Sequence, residues 1–156
     1  MAGVHPRVLG YLGRALSLEF TAVQQYMTQA SLLAFWGDSV AAERMRREMV
    51  EEIQHAEQLV QQMLLLGVIP AASQLRPVQS SGDLIGLLNQ DAELEAEQIQ
   101  HYAEASRFCT LIGDAANASF FQTLWEEETQ LGQDLERWLQ ELRGRHWGTT
   151  NQRATF

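Results

Sequence analysis

The sequence predicts an all-α fold, a four-helix bundle with one long crossover between the second and third helices. Apolar side chains recur at helical spacing along most of the 156 residues, and no segment shows the alternation of a strand. Two of the three connections are short and contain glycine, whereas the third contains two of the chain's three prolines. Two short connections and one long one are typical of a bundle with a single crossover.

Each predicted helix is bounded by recognisable residues. Gly37, Gly67 and Gly113 stand where the helical spacing stops, as expected of residues that close a helix C-terminus. Asp38 (or Ser39) and Asp114 can accept hydrogen bonds from the first amides of the helices that follow them. The predicted helices span residues 6–36, 38–66, 83–112 and 114–142.

The four helices form one predicted domain, residues 1–142, which is followed by a polar tail, residues 143–156. Because 46% of the residues are hydrophobic, a chain of this length can bury a substantial core. The tail contains glycine and shows no helical period. It is therefore predicted to continue the chain beyond the bundle without forming a further helix.

The chain is acidic, with a formal net charge of −9 and a pI of about 4.8. This balance argues against binding to nucleic acid or to anionic membrane surfaces, and it favours attraction of small cations. Cys109 is the single cysteine, so no intramolecular disulfide can form and a reducing compartment is expected. Neither a signal peptide nor an apolar run of membrane length is evident, which makes the cytoplasm the expected location.

Carboxylates fall on the apolar face of every predicted helix. They are Glu19 on helix one, Glu52 beside His55 on helix two, Glu95 on helix three and Glu127 on helix four. Burying an ionised carboxylate costs several kcal/mol unless it is paired, and four unrelated costs of this kind are hard to explain. Divalent cations bridged by the carboxylates would remove the cost. The pattern therefore predicts a metal site inside the bundle.

The segment from Glu52 to His55 carries the clearest signal, because a Glu and a His three residues apart project from the same helix face. Di-iron helix bundles use one Glu from each of two helices and Glu-x-x-His from each of the other two. The second motif is incomplete here, since Gln130 stands three residues after Glu127. A glutamine carbonyl is a weaker ligand or only a hydrogen-bond partner, so the predicted site is asymmetric. Iron, manganese and zinc all accept these ligands.

The chain resembles the bacterioferritins and related ferritins over residues 8–130. The segments that carry the likeness are LEFTAVQQY at 18–26, WG at 36–37, EEIQHAE at 51–57, LGVIP at 66–70, DAELE at 91–95 and EEE at 126–128. The resemblance implies a di-iron ferroxidase site whose ligands are Glu19, Glu52, His55, Glu95 and Glu127. It also matches Tyr26 to a tyrosine beside that site. The implied activity is oxidation of Fe²⁺ to Fe³⁺ by O₂ or H₂O₂, for iron storage or detoxification.

Three features depart from the family pattern. Gln130 replaces the second histidine of the site. Ile53 follows the first-motif glutamate, where bacterioferritins carry the methionine that ligates haem, so haem is not expected. The polar tail does not resemble the family's short fifth helix. The resemblance implies a homo-oligomer, from a dimer up to the family's 24-subunit cage, and the tail leaves its size open.

Two other functions stay open at the level of sequence. Gln130 and the tail also fit a degenerate ferritin-like subunit with little or no catalysis, which would form a hetero-oligomer with a complete homologue. The short polar tail fits a dimeric di-metal oxidase without storage as well. Away from these carboxylates, Asp91 is expected at a helix cap or a polar boundary, with a supporting place beside the metal ligands as the alternative, and His101 and His146 are expected in solvent.

Overall fold

The computed structural model describes residues 3–152, and the side chains of residues 3–145. Four helices account for most of this part of the chain, and no strand occurs in it. The predicted all-α bundle is confirmed, with helix bounds close to those expected except at the end of the fourth helix. The helices are α1 (Pro6–Phe35), α2 (Ser39–Leu65), α3 (Leu84–Leu111) and α4 (Ala115–Gln152).

The helix boundaries follow from the residues that flank them. The first three helices are followed by glycines with positive φ, a conformation that other residues rarely adopt: Gly37 at 86°, Gly67 at 78° and Gly113 at 76°. Aspartate side chains accept hydrogen bonds from amides in the first turns of α2, α3 and α4: Asp38 from Ala41, Asp83 from Gly86 and Asp114 from Asn117. The long crossover lies between α2 and α3, as the prolines predict.

The core is divided into two apolar clusters along the bundle axis. One contains Leu33, Met45 and Leu139, and the other contains Leu12 and Phe121. On every helix, the chain passes from one cluster to the other at a buried acidic residue near the middle of the bundle. α2 and α3 run from the first cluster to the second, and α1 and α4 run the opposite way, so these acidic residues lie at one level.

The fourth helix is longer than predicted, since it runs to Gln152 and includes the first part of the expected tail. The added segment, residues 143–152, contains two glycines and two threonines, which are weak helix formers, so local propensity does not account for the extension. The expectation that the helix ends near residue 142 was wrong. No helix in the described part of the chain is long and apolar enough to cross a membrane.

The expectation that His101 is in solvent was also wrong. His101 is buried, and its Nε2 lies 2.9 Å from the backbone oxygen of Tyr11. This contact joins α3 to α1, which a helical period alone could not reveal. His146 lies outside the residues whose side chains are described.

Candidate metal centre

Four buried glutamates, one from each helix, meet in the middle of the bundle. They are Glu19, Glu52, Glu95 and Glu128, and each is at most 3% exposed. Four ligand atoms lie within 4.8 Å of one another, a spacing that could hold a metal ion, and they come from Glu19, Glu52, His55 and Glu128. Glu95 adjoins this group, since its carboxyl lies within hydrogen-bonding reach of Glu128.

One oxygen of each carboxylate accepts a hydrogen bond from a side chain of another helix. Phenols hold two of them: Tyr102 donates to Glu19 Oε1 at 2.6 Å, and Tyr26 donates to Glu95 Oε1 at 2.7 Å. The others are held by Gln98, whose Nε2 lies 2.8 Å from Glu52 Oε2, and by His55, whose Nδ1 lies 2.8 Å from Glu128 Oε1. These bonds fix the orientation of every carboxylate.

The second oxygen of each carboxylate is buried without a hydrogen-bond partner. The unpaired atoms are Glu19 Oε2, Glu52 Oε1, Glu95 Oε2 and Glu128 Oε2. Glu19 lies close to Glu52 and Glu128. Two carboxylate oxygens are both acceptors, so they can form a hydrogen bond only if one of them carries a proton. Unpaired buried acceptors are costly, and charged ones more so. Carboxylate oxygens with one imidazole suit divalent iron, manganese or zinc, so the residues present fit a metal ion at this place.

The inward carboxylate of the fourth helix is Glu128, and the prediction of Glu127 was wrong by one residue. Glu128 is fully buried, whereas the side chain of Glu127 is 43% exposed. Phe121 and Leu135 flank Glu128 at a spacing of seven residues on the buried face. Glu127 still reaches the edge of the site, because its Oε2 lies 3.0 Å from His55 Nε2.

Gln130 does not contribute to the cluster. It is exposed, and its Nε2 donates to Asp134 Oδ1 at 3.2 Å. With Glu128 pointing inward, the position three residues further on is Leu131, which has no ligating atom. The expected asymmetry therefore persists for a different reason, because His55 is the one nitrogen ligand among the four residues of the cluster.

Burial and mutual repulsion control the charges of the acidic residues. Burial, followed by the charges of neighbouring glutamates, raises the pKa of Glu19 and Glu95 well above the usual value. The same two causes raise the pKa of Glu52 to about 8. Without a metal ion these carboxyls therefore bind protons at higher pH than ordinary glutamates do, which relieves their repulsion.

His55 and Glu128 behave as a buried ion pair. Burial lowers the pKa of His55, but its hydrogen bond to Glu128 and the charge of Glu128 outweigh burial and raise that pKa to about 9. Burial likewise raises the pKa of Glu128, and its hydrogen bonds, the one from His55 foremost, bring that pKa well below the usual value. In the metal-free protein a protonated imidazole thus stands where a cation ligand is expected. Metal binding would release this proton, because a ligating imidazole is neutral.

Two tyrosines are related by the same spacing. Tyr26 follows Glu19 by seven residues on α1, and Tyr102 follows Glu95 by seven on α3. Each phenol crosses to the glutamate of the other helix. Of the two, only Tyr26 was expected beside the site, and the repeated seven-residue spacing is the signal that could have identified Tyr102.

Asp91 is fully buried, so the expectation of a helix cap or polar boundary was wrong, and the alternative of a supporting residue stays a prediction. Its Oδ1 accepts from Gln25 Nε2 at 2.8 Å, and its Oδ2 has no partner. Burial raises the pKa of Asp91 to about 7, even though hydrogen bonds from Gln25 and Gln29 act in the opposite direction. The folded protein therefore holds this proton more tightly than the unfolded chain does.

We predict that Asp91→Asn weakens the pH dependence of stability in the metal-free protein. Because the pKa of Asp91 is raised on folding, its contribution is present below about pH 4 and is lost as the pH rises to about 7. Urea unfolding at pH 5 and pH 8 measures the change, and the wild type should lose about 2 kcal/mol more than the variant. Equal losses in both proteins would show that Asp91 does not titrate in this range.

Comparison with known proteins assigns a family to this geometry. The family model described as "Ferritin-like domain" matches residues 9–144. The bacterioferritin of Rhodobacter capsulatus is 30% identical over 122 residues, covering 78% of this chain and 76% of that protein. A bacterial ferritin of Pseudomonas aeruginosa is 33% identical over 107 residues, covering 67% of this chain and 68% of that protein.

A solved structure shares the whole fold. It is the bacterioferritin of Rhodobacter capsulatus, described as having a metal-free dinuclear site and haem iron in a crystallographic special position. It superposes with a TM-score of 0.85 at 28% identity, covering 92% of this chain and 89% of that one. The bundle, its buried carboxylate–histidine cluster and these matches lead to one conclusion: the chain belongs to the ferritin-like family, with bacterioferritins among its relatives.

Proposed function

We propose that this protein stores or detoxifies iron by oxidising Fe²⁺ to Fe³⁺ at the buried cluster, with O₂ or H₂O₂ as oxidant. The observation that carries the proposal is the set of four buried carboxylate oxygens without partners, one from each helix. Iron-binding relatives of the same fold support it. Fe²⁺ is the substrate, and the proposed ligands are Glu19, Glu52, His55, Glu95 and Glu128, with Glu127 at the edge.

The residues of the chain each have a defined task in this proposal. The carboxylates neutralise the charge of Fe²⁺ and of the Fe³⁺ that forms, which favours the oxidised product. Tyr102, Tyr26 and Gln98 hold one oxygen of three carboxylates, so the free oxygens are oriented before iron arrives. The apolar clusters on both sides exclude water and strengthen the electrostatic interactions of the site.

Two iron ions per chain are proposed to bind unequally. His55 can ligate one of the two ions. The other ion has only carboxylate oxygens, because Leu131 and not a histidine follows Glu128 by three residues. The second ion should therefore bind more weakly. This feature also favours a second candidate, a ferritin-like subunit with weak catalysis that assembles with a more complete homologue.

Haem does not fit the outer face of α2. Ile53, at the position expected of the ligand, is 42% exposed and carries no ligating atom. Met49, one turn away, is partly buried against the core. We therefore propose a haem-free protein and derive no step through haem. The proposed assembly is a homo-oligomer, dimer or cage, and the cytoplasmic location stays a prediction.

The proposal predicts that Glu52→Ala abolishes rapid oxidation of Fe²⁺. Glu52 lies at the centre of the carboxylates, and its loss removes a charge that both ions need. Stopped-flow absorbance after mixing with O₂ measures the rate, and circular dichroism checks the fold. Glu57→Ala is the matched control, because this glutamate is exposed on the same helix. Wild-type kinetics in Glu52→Ala would refute the site.

A further inference from the structure

A glutamine of α3 lies beside the cluster and has one amide atom without a partner. Gln98 is fully buried, and its Nε2 donates to Glu52 Oε2 at 2.8 Å. Its Oε1 is buried as well and accepts no hydrogen bond. Buried polar side-chain atoms rarely lack a partner in folded proteins, so this oxygen calls for an explanation.

The position of Gln98 on α3 directs it toward the cluster. It follows Glu95 by three residues and precedes Tyr102 by four, so the three side chains project from one face of the helix. Both neighbours contact the centre, since Glu95 is one of the four buried carboxylates and Tyr102 donates to another. Glu95 and Gln98 thus repeat the spacing of Glu52 and His55, with an amide in place of the imidazole.

Gln98 approaches the same oxygen of Glu52 that faces His55. His55 Nδ1 lies 4.0 Å from Glu52 Oε2 and 3.9 Å from Glu19 Oε1. Two ligands on opposite sides of an octahedral ion are about 4 Å apart, and adjacent ligands are about 3 Å apart, when each bond is about 2.1 Å long. The 2.8 Å from Gln98 Nε2 to Glu52 Oε2 is close to the separation of adjacent ligands. An ion bound between His55 and Glu52 would therefore lie next to the amide of Gln98.

The amide of Gln98 can present either of its ends to the cluster. The terminal torsion of a glutamine is broad and roughly two-fold, so a half-turn exchanges Oε1 with Nε2 without moving the rest of the side chain. Beside a free carboxylate the nitrogen end is favoured, because it donates a hydrogen bond. Beside a divalent cation the carbonyl end is favoured, because amide oxygens bind hard cations.

We propose that Gln98 is a further ligand of the metal ion that His55 binds, and that its amide turns so that Oε1 takes the place of Nε2 beside Glu52 Oε2. This inference rests on the proposed iron site and deepens it. The amide is neutral, so it adds a ligand without adding repulsion among the carboxylates and without releasing a proton. It also increases the inequality of the two ions, since the ion held by carboxylates alone gains no ligand from it.

The test is a crystal structure of the whole protein loaded with Mn²⁺, which favours six ligands, mostly oxygens. Anomalous scattering locates each ion independently of the side chains. We expect the amide oxygen of Gln98 at about 2.1–2.3 Å from the ion beside His55, between the distances typical of Mg²⁺ and Ca²⁺. Only the oxygen can lie so close, because the amide nitrogen carries two hydrogens that would point at the cation. An ion beside His55 with the Gln98 amide still donating to Glu52 would overturn the inference.

Calorimetric titration of the metal-free protein with Mn²⁺ separates a ligand from a hydrogen-bond donor. Gln98→Leu removes both roles and should weaken the tighter-bound ion by at least about 10-fold. Gln98→Glu keeps a ligating oxygen but lacks the amide donor, and it should bind this ion at least as tightly as the wild type. Gln100→Leu and Gln100→Glu are the matched controls, because Gln100 is exposed on the same helix and the changes in charge are the same. Equal weakening in Gln98→Leu and Gln98→Glu would show that the donor matters and the oxygen does not.

The crystal structure needs no substitution, so it tests the inference even where variants of this buried residue do not fold. If Mn²⁺ binds beside His55 and Gln98 remains a donor, the ligand role fails while the proposed iron site stands. If no Mn²⁺ binds inside the bundle, both fail together.

Discussion

Replacement of Glu128 by alanine should slow iron oxidation by at least about 100-fold. Loss of a residue that only supports a metal ligand can already cost about 100-fold in activity, and Glu128 is itself a proposed ligand. Glu128 is fully buried, pairs with His55 and directs an unpaired oxygen into the cluster. Its removal would also leave the His55 imidazole without its anionic partner and so reduce the negative charge that attracts Fe²⁺. The measurement is the initial rate of ferric absorbance in stopped flow.

Glu127→Ala is the matched control for this effect. Both variants remove one carboxylate from adjacent positions of α4, so they change the net charge equally. Glu127 contacts His55 from a half-exposed position, and its loss should cost much less than the loss of Glu128. A larger defect in Glu127→Ala than in Glu128→Ala would mean that the fourth helix presents the other carboxylate when iron is bound.

Divalent cations should strongly raise the thermal stability of the metal-free protein. A cation relieves the repulsion among buried carboxylates and satisfies oxygens that have no partner. Binding at a thousandfold excess over the dissociation constant contributes about 4 kcal/mol. For a chain of this size that corresponds to a Tm increase of roughly 10 °C.

Zn²⁺ or Mn²⁺ allows this measurement without redox chemistry, by calorimetry before and after addition of a chelator. The increase should be lost in Glu52→Ala and kept in Glu57→Ala, because only the first residue lies in the cluster. It should also diminish at low pH, since protons on Glu19, Glu52 and His55 compete with the cation. An unchanged Tm at every metal concentration would contradict a metal site at this place.

The fold was predictable because its signals are local. Helix ends at Gly37, Gly67 and Gly113 depend on backbone conformations that one residue determines, and the apolar spacing between them predicts which faces meet. On the first three helices the apolar spacing placed Glu19, Glu52 and Glu95 correctly inside the bundle. The family resemblance led to the same fold independently.

The fourth helix was harder because it carries three consecutive glutamates. Successive residues of a helix turn by about 100°, so a run such as 126–128 always presents a carboxylate close to the core and does not say which one is buried. The spacing of Leu124 and Leu131 predicted that Glu127 points inward. In the structure, Glu128 is buried on the same face as Phe121 and Leu135. The bond from Tyr102 to Glu19 spans 83 residues in sequence and depends on how α1 and α3 pack, which no local pattern contains.

An anaerobic Fe²⁺ titration followed by exposure to air tests the central claim most directly. The cluster predicts saturation near two irons per chain, the stoichiometry of a di-iron bundle, with the second ion bound more weakly. It also predicts rapid growth of the ultraviolet band of oxo-bridged ferric iron after air is admitted. Absence of stoichiometric binding, with oxidation no faster than in buffer, would contradict an iron-oxidising site in this protein.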